Sequence, residues 1–204
     1  MPLLGPHMTA TVISALSAKG FVGTGLPSFA AAIGTGSVLS LVGKTFSTSD
    51  MGSTASAGVG VGIGLTGVSS ATIKGAMMLE ALSKGFTPTT QQSDVFEAVG
   101  DALVTELAIA SLTSTHTPVY VGTGTIDVGS IMVTASEWGG NIESTGAGLG
   151  MSGDKWPDFA AVLGKGCVAG MATAAGNVVI TGVPPGTPVP PSGGIDGVGS
   201  GVIA

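Results

Sequence analysis

Pro27-Ser28-Phe29-Ala30-Ala31-Ala32-Ile33-Gly34-Thr35-Gly36-Ser37-Val38 reads almost in step with Pro157-Asp158-Phe159-Ala160-Ala161-Val162-Leu163-Gly164-Lys165-Gly166-Cys167-Val168. Phe, Ile or Leu, and paired glycines recur at the same spacing. Chance alignment of a sequence rich in Gly, Ala and Val explains such agreement poorly over twelve positions. The match therefore points to an internal repeat. Each copy has proline at the start of an apolar run, where a missing amide is tolerated in the first turn of a helix.

Further self-similarity lies outside these copies. Ile33-Gly34-Thr35-Gly36-Ser37-Val38 resembles Val121-Gly122-Thr123-Gly124-Thr125-Ile126, and Gly58-Val59-Gly60-Val61-Gly62-Ile63 resembles Gly146-Ala147-Gly148-Leu149-Gly150-Met151. The alignments do not share one register. They predict a reused unit of helix, strand and glycine run.

Five segments carry helical signals. They are Thr9 to Lys19, a segment starting near Pro27, Ser70 to Lys84, Ser93 to Leu112, and Asp154 to Ala175. In the third, Ile73, Met77 and Ala81 form a stripe, Glu80 and Lys84 stand in the favourable i,i+4 order, and Gly85 stops the helix. In the fourth, Asp94, Glu97 and Asp101 suit the positive end of the helix dipole. Phe96, Val99, Leu103, Leu107 and Ala110 form its apolar stripe. Shorter runs rich in Val, Ile, Thr and Tyr predict strands at Thr45–Thr48, Pro118–Ile126, Ser130–Thr134 and Asn177–Thr181.

The expected fold is thus α+β, with about five helices and several short strands. Residues 1–182 are expected to form one globular domain with a pseudo-repeat over about 9–67 and 69–182. Residues 183–204, with Pro184-Pro185 and Pro190-Pro191, read as an extended arm.

Composition bounds the function. The chain has 204 residues, 36 of them glycine, and only 9% are charged. Soluble proteins carry about a quarter charged residues, which keep their surfaces wet. So few charges predict extensive contact with other protein. Net charge is −6, there is no arginine, and the six lysines form no run. These features argue against a nucleic-acid surface and a polybasic membrane patch. The N-terminal residues lack the basic and apolar regions of a secretory signal. Gly20–Gly43 and Met51–Ile73 are long uncharged stretches, but Gly, Ser and Thr make them poor membrane spans. Insertion of such segments into a membrane is the alternative function.

Chemistry is sparse. Cys167 permits no internal disulfide and reads as a small buried hydrophobe. Gly43-Lys44-Thr45 lacks the upstream glycine of a phosphate loop, because Val38 stands there. Gly60-Val61-Gly62-Ile63-Gly64 has the wrong spacing for a dinucleotide fingerprint. As a strand it would bare one face for close backbone approach; as a loop it would be flexible. His7 and His116 stand alone, and Asp127, Glu137 and Glu143 follow no ligand pattern. Glu106 lies in an apolar stretch, where a helical wheel allows an exposed position. Gly166, Gly170 and Ala174, four apart, suit close helix packing. No catalytic, cofactor-binding or metal-binding residue is assigned, no cofactor is expected, and the chain reads as a non-enzyme.

Pro27–Val38 followed by Lys44-Thr45-Phe46-Ser47-Thr48-Ser49-Asp50-Met51-Gly52, the glycine run, His116 ahead of Val121-Gly122-Thr123-Gly124, and the tail ending Gly199-Ser200-Gly201-Val202-Ile203-Ala204 together resemble virion structural proteins of contractile-tailed bacteriophages. The likeness is one of style and order along most of the chain. It implies a multi-copy component of a tail, baseplate, neck or decoration. The implied partners are copies of itself or other virion proteins, and the implied location is the virion, assembled in the host cytoplasm. It carries over no catalytic residue.

Overall fold

Three glycines, 65 residues apart, punctuate the fold. Gly20, Gly85 and Gly150 have φ of 82°, 70° and 89°, a left-handed conformation that glycine adopts without strain. In a computed structural model, each ends a helix in the same way. The amide of Phe21 donates to the Leu16 carbonyl, Phe86 to Ala81, and Met151 to Gly146, at 3.1, 3.0 and 2.9 Å. Gly20, Gly85 and Gly150 themselves donate to Ser17, Leu82 and Ala147. This pair of bonds satisfies carbonyls that a helix end leaves open.

The structure describes residues 5–41, 44–52, 58–109, 111–116, 122–127, 134–171, 175–180 and 195–202, with side chains at 5–41, 44, 67–106 and 134–171. Six helices carry those side chains: α1 (Gly5–Ala18), α2 (Leu26–Leu41), α3 (Ser70–Ser83), α4 (Thr90–Ile109), α5 (Ala135–Gly148) and α6 (Trp156–Met171). They form three hairpins, α1–α2, α3–α4 and α5–α6. Each helix packs on its chain neighbours, and α6 returns onto α1, closing a ring.

The hairpins are equivalent residue by residue. Met8, Ile73 and Trp138 occupy one buried level of the first helices, and Val12, Met77 and Ile142 the next. In the second helices, Phe29, Val95 and Phe159 correspond, as do Ile33, Val99 and Leu163. Of these six, only Phe159 remains partly exposed.

Glycine sets the helix spacing. A Cβ on Gly34 would collide with Thr9, and one on Gly164 with Gly139, each inside its own hairpin. Between hairpins, a Cβ on Gly36 would lie 2.6 Å from Met77 Cα, and one on Gly166 would lie 2.8 Å from Val12 Cα. Met77 and Val12 are themselves equivalent. The contact joining the first hairpin to the second is therefore reused to join the third back to the first. The arrangement is pseudo-threefold.

The expected α+β class is corrected. The packed body is all-helical: among the residues with described side chains there are six helices and no strand, and helices alone build the core. Elsewhere the backbone alone is described, in extended segments β1 (Thr45–Gly52), β2 (Gly58–Thr66), β3 (Ser111–His116), β4 (Gly122–Asp127), β5 (Ala175–Ile180) and β6 (Ile195–Val202). They run antiparallel in the order β5-β4-β3-β2-β1-β6 and add no described side chain to the core.

The sixth helix was not anticipated. Ala135–Gly148 contains four glycines and reads as loop on propensity. It forms because Thr134 and Glu137 make a reciprocal capping box, and because Trp138 and Ile142 bury a stripe against its neighbours. Thr134, expected to end a strand, is that cap; residues 130–133 lie outside the described residues. The second glycine run, Gly146–Met151, is the end of α5 and its turn, so its likeness to the run in β2 is compositional. The expected helix–strand–glycine unit gives way to a helical hairpin present three times. Of the expected arm, residues 195–202 run antiparallel to β1 of the same chain, whereas 183–194 and 203–204 lie outside the described residues.

Candidate functional site: an apolar bowl on the pseudo-threefold axis

The three hairpin turns converge at one end of the ring. There they surround an open cavity of about 550 Å³. Its lining repeats the symmetry. Phe21, Phe86 and Met151 follow the three helix-stopping glycines. Phe29, Val95 and Phe159 come from the N-terminal ends of the second helices, as do Leu26, Gln92 and Trp156. Equivalent residues from all three hairpins place the bowl on the axis.

Aromatic side chains concentrate here. The chain has six Phe, two Trp and one Tyr, and five of these nine line the bowl. Phe21 meets Phe159 edge-on, with ring centroids 5.1 Å apart. Trp156 and Phe29 flank Phe159 at 6.0 and 6.2 Å, and Phe29 stacks on Phe96 in the core behind. Such pairs contribute about 0.5–1.5 kcal/mol each beyond area burial. The Trp156 indole N–H donates to the Glu143 carbonyl at 3.1 Å. Its ring lies over Gly146, where a side chain would collide with it. This wall is held rigidly.

The mouth is less symmetric than the base. Gly25, Gln91 and Lys155 are equivalent positions, so an amide and an ammonium come from two hairpins and nothing from the first. Among the described residues Lys155 is the only charged one lining the bowl. Around the same end stand Lys19 and Lys84, the latter paired with Glu80 at 3.1 Å, together with Asp154. Val22, Leu82 and Leu149 expose apolar surface there, Val22 at 77%.

The residues weighed in the sequence fall elsewhere. Cys167 is fully buried in α6, and desolvation pushes its thiol up to about 12, which makes it a poor nucleophile. Glu106, which the helical wheel allows on the exposed face, is instead buried in α4. It accepts a hydrogen bond from Asn141 Nδ2 of α5 at 2.5 Å. Burial raises its pKa, the Asn141 bond lowers it, and Glu137 raises it further. Glu137 caps α5, and hydrogen bonds from Thr134 lower its own pKa. Glu143 serves the site through its backbone.

His7 lies in α1 with Nε2 buried and without a hydrogen-bond partner among the described residues, as is Trp138 Nε1. His116 and the Gly60–Gly64 run lie in β3 and β2, where only the backbone is described. Gly166 and Gly170 serve intramolecular packing, against Val12 and Met8, while Ala174 lies outside the described residues. Among the described residues no group of three His, Cys, Asp or Glu side chains can hold a metal ion.

The bowl itself escapes the sequence reading. A signal was present: Lys19-Gly20-Phe21 and Lys84-Gly85-Phe86 are the same tripeptide, 65 residues apart. No family model, curated protein or solved structure matches the chain.

Proposed function

We propose that this chain is a structural component of a multi-subunit particle, acting through protein–protein contacts and performing no catalysis. The resemblance noted above makes a bacteriophage virion the proposed setting, with copies of the chain or other virion proteins as partners. The observation that carries the reading is the closed ring of three equivalent hairpins. One chain here repeats the same helical hairpin three times around an axis, which suits a place on or beside a rotational axis of an assembly. Two further features support it. Charge is scarce over the whole chain, and Val22, Leu79, Leu82 and Leu149 stand exposed on helices and turns. The alternative reading is membrane insertion; among the described residues no helix is long and apolar enough to cross a membrane.

The test is sedimentation of the purified chain, alone and with candidate particle proteins, at low and high salt. The expected result is a stable complex that persists at half-molar salt, because apolar contacts offer screening little to act on. A monomer at micromolar concentration that joins no particle protein refutes the proposal.

A further inference from the structure

We propose that the axial bowl is a binding site for a small amphiphile, an apolar body of about ten carbons carrying one anionic group. Four observations lead there. The cavity, about 550 Å³, falls in the range of small-molecule sites. Its base is apolar and aromatic, and the Trp156 bond to Glu143 together with the contacts of Phe159 hold that wall in place before any ligand arrives. Among the described residues no carboxylate lines it and Lys155 is its one charge, in a chain of net charge −6. Finally, the symmetry of the base is broken at the mouth. Gly25 leaves one position bare where its equivalents are Gln91 and Lys155. A threefold-symmetric occupant would meet three like groups. This mouth instead meets an occupant with a single polar end, directed to the side of Gln91 and Lys155. The apolar body fills the symmetric base, and the anionic group sits at Lys155, near the solvent.

The inference stands apart from the assembly reading, since either can fail without the other. Decanoate is the probe, with decyl maltoside and decyltrimethylammonium as neutral and cationic counterparts, all below their micellar concentrations. Trp156 reports binding by fluorescence in a Trp138→Phe background, and equilibrium dialysis of labelled decanoate supplies an independent measure. The expected order of affinity is decanoate, then maltoside, then the cation. Lys155→Met should weaken decanoate about two- to fivefold, the size of an exposed ion pair, and leave the maltoside unchanged. Gly25→Phe should abolish binding of all three while circular dichroism stays native, because a Cβ at Gly25 meets nothing within 4 Å and the ring has room to occupy the bowl. Absence of saturable decanoate binding overturns the proposal. So does equal affinity for the cation, or full binding to a folded Gly25→Phe variant. Adsorption to phosphatidylglycerol vesicles without saturable decanoate binding would assign the surface to a membrane and also overturn it.

Discussion

Replacing Gly36 by Ala tests whether helix spacing in the ring is set by bare glycine. Two terms oppose each other. Alanine is favoured over glycine inside a helix by about 0.8–1.0 kcal/mol. Against that, the new Cβ would lie 2.6 Å from Met77 Cα and 2.8 Å from Met77 N. These are backbone atoms of α3, so no side chain can swing aside. Carbon atoms pack best at about 3.5–4.0 Å, so α2 and α3 must separate by roughly an ångström along a buried seam. Overpacking of this kind costs about 1–3 kcal/mol, and more where backbone must move. The clash outweighs the propensity gain, and the net loss should be about 1–2 kcal/mol.

Gly75→Ala is the control. It lies inside α3 with nothing within 4 Å of its added Cβ, so only the propensity term acts and stability should rise by about 1 kcal/mol. The two variants should thus differ by about 2–3 kcal/mol in urea titrations with unchanged slope. Gly166→Ala, against Val12 Cα at 2.8 Å, should lose as much as Gly36→Ala, because it repeats that contact where the ring closes. If Gly166→Ala proves as stable as Gly75→Ala, α6 does not rest on α1 and the ring is open. If Gly36→Ala does so too, the spacing argument is wrong.

Three further outcomes are expected. Leu103→Ala, which empties a position 1% exposed in α4, should cost about 2–5 kcal/mol in the same titration. Glu106 has its pKa raised by burial, so the folded state holds its proton more tightly than the unfolded chain does. Its destabilising effect is full above the folded pKa and is relieved as pH falls through that value toward 4.5. Glu106→Gln should therefore raise stability at neutral pH and flatten the pH dependence over that window. Cys167, buried with its thiol pushed up to about 12, should resist iodoacetamide at pH 8 in the folded chain and react on unfolding, as read by mass spectrometry.

Where a segment's own periodicity matched its burial, the sequence was legible. The stripe Ile73, Met77 and Ala81 predicts a helix over Ser70–Lys84, and the structure has one at Ser70–Ser83. Ser93–Leu112 was expected and Thr90–Ile109 is found; the start moves because Thr89 and Gln92 cap each other, Thr89 N–H to Gln92 Oε1 at 2.8 Å. Where tertiary packing supplied the stability, the sequence was silent. Glycines Gly139, Gly140, Gly146 and Gly148 make α5 poor on propensity, yet two of them serve the fold directly. Gly139 admits α6, and Gly146 admits the Trp156 ring. Local propensity penalises these residues, whereas close packing requires them.

That conflict also hid the threefold repeat and, with it, the site. The visible match, Pro27–Val38 with Pro157–Val168, joins the first and third hairpins, 130 residues apart, and the period looks like two large halves. The second hairpin escapes because its second helix took a different solution at the same positions. Ser37 and Cys167 correspond to Leu103, and Gly36 and Gly166 to Ala102. Larger side chains there still fill the same level of the core, so equivalence survives in burial after it has gone from identity. The turns were constrained differently. A left-handed stop accepts glycine and little else, and the residue after it must return an amide to the helix end. Gly20, Gly85 and Gly150 therefore keep a strict period, and the Phe, Phe and Met that follow them are delivered to the axis together. The bowl is a consequence of three helix stops that could not drift.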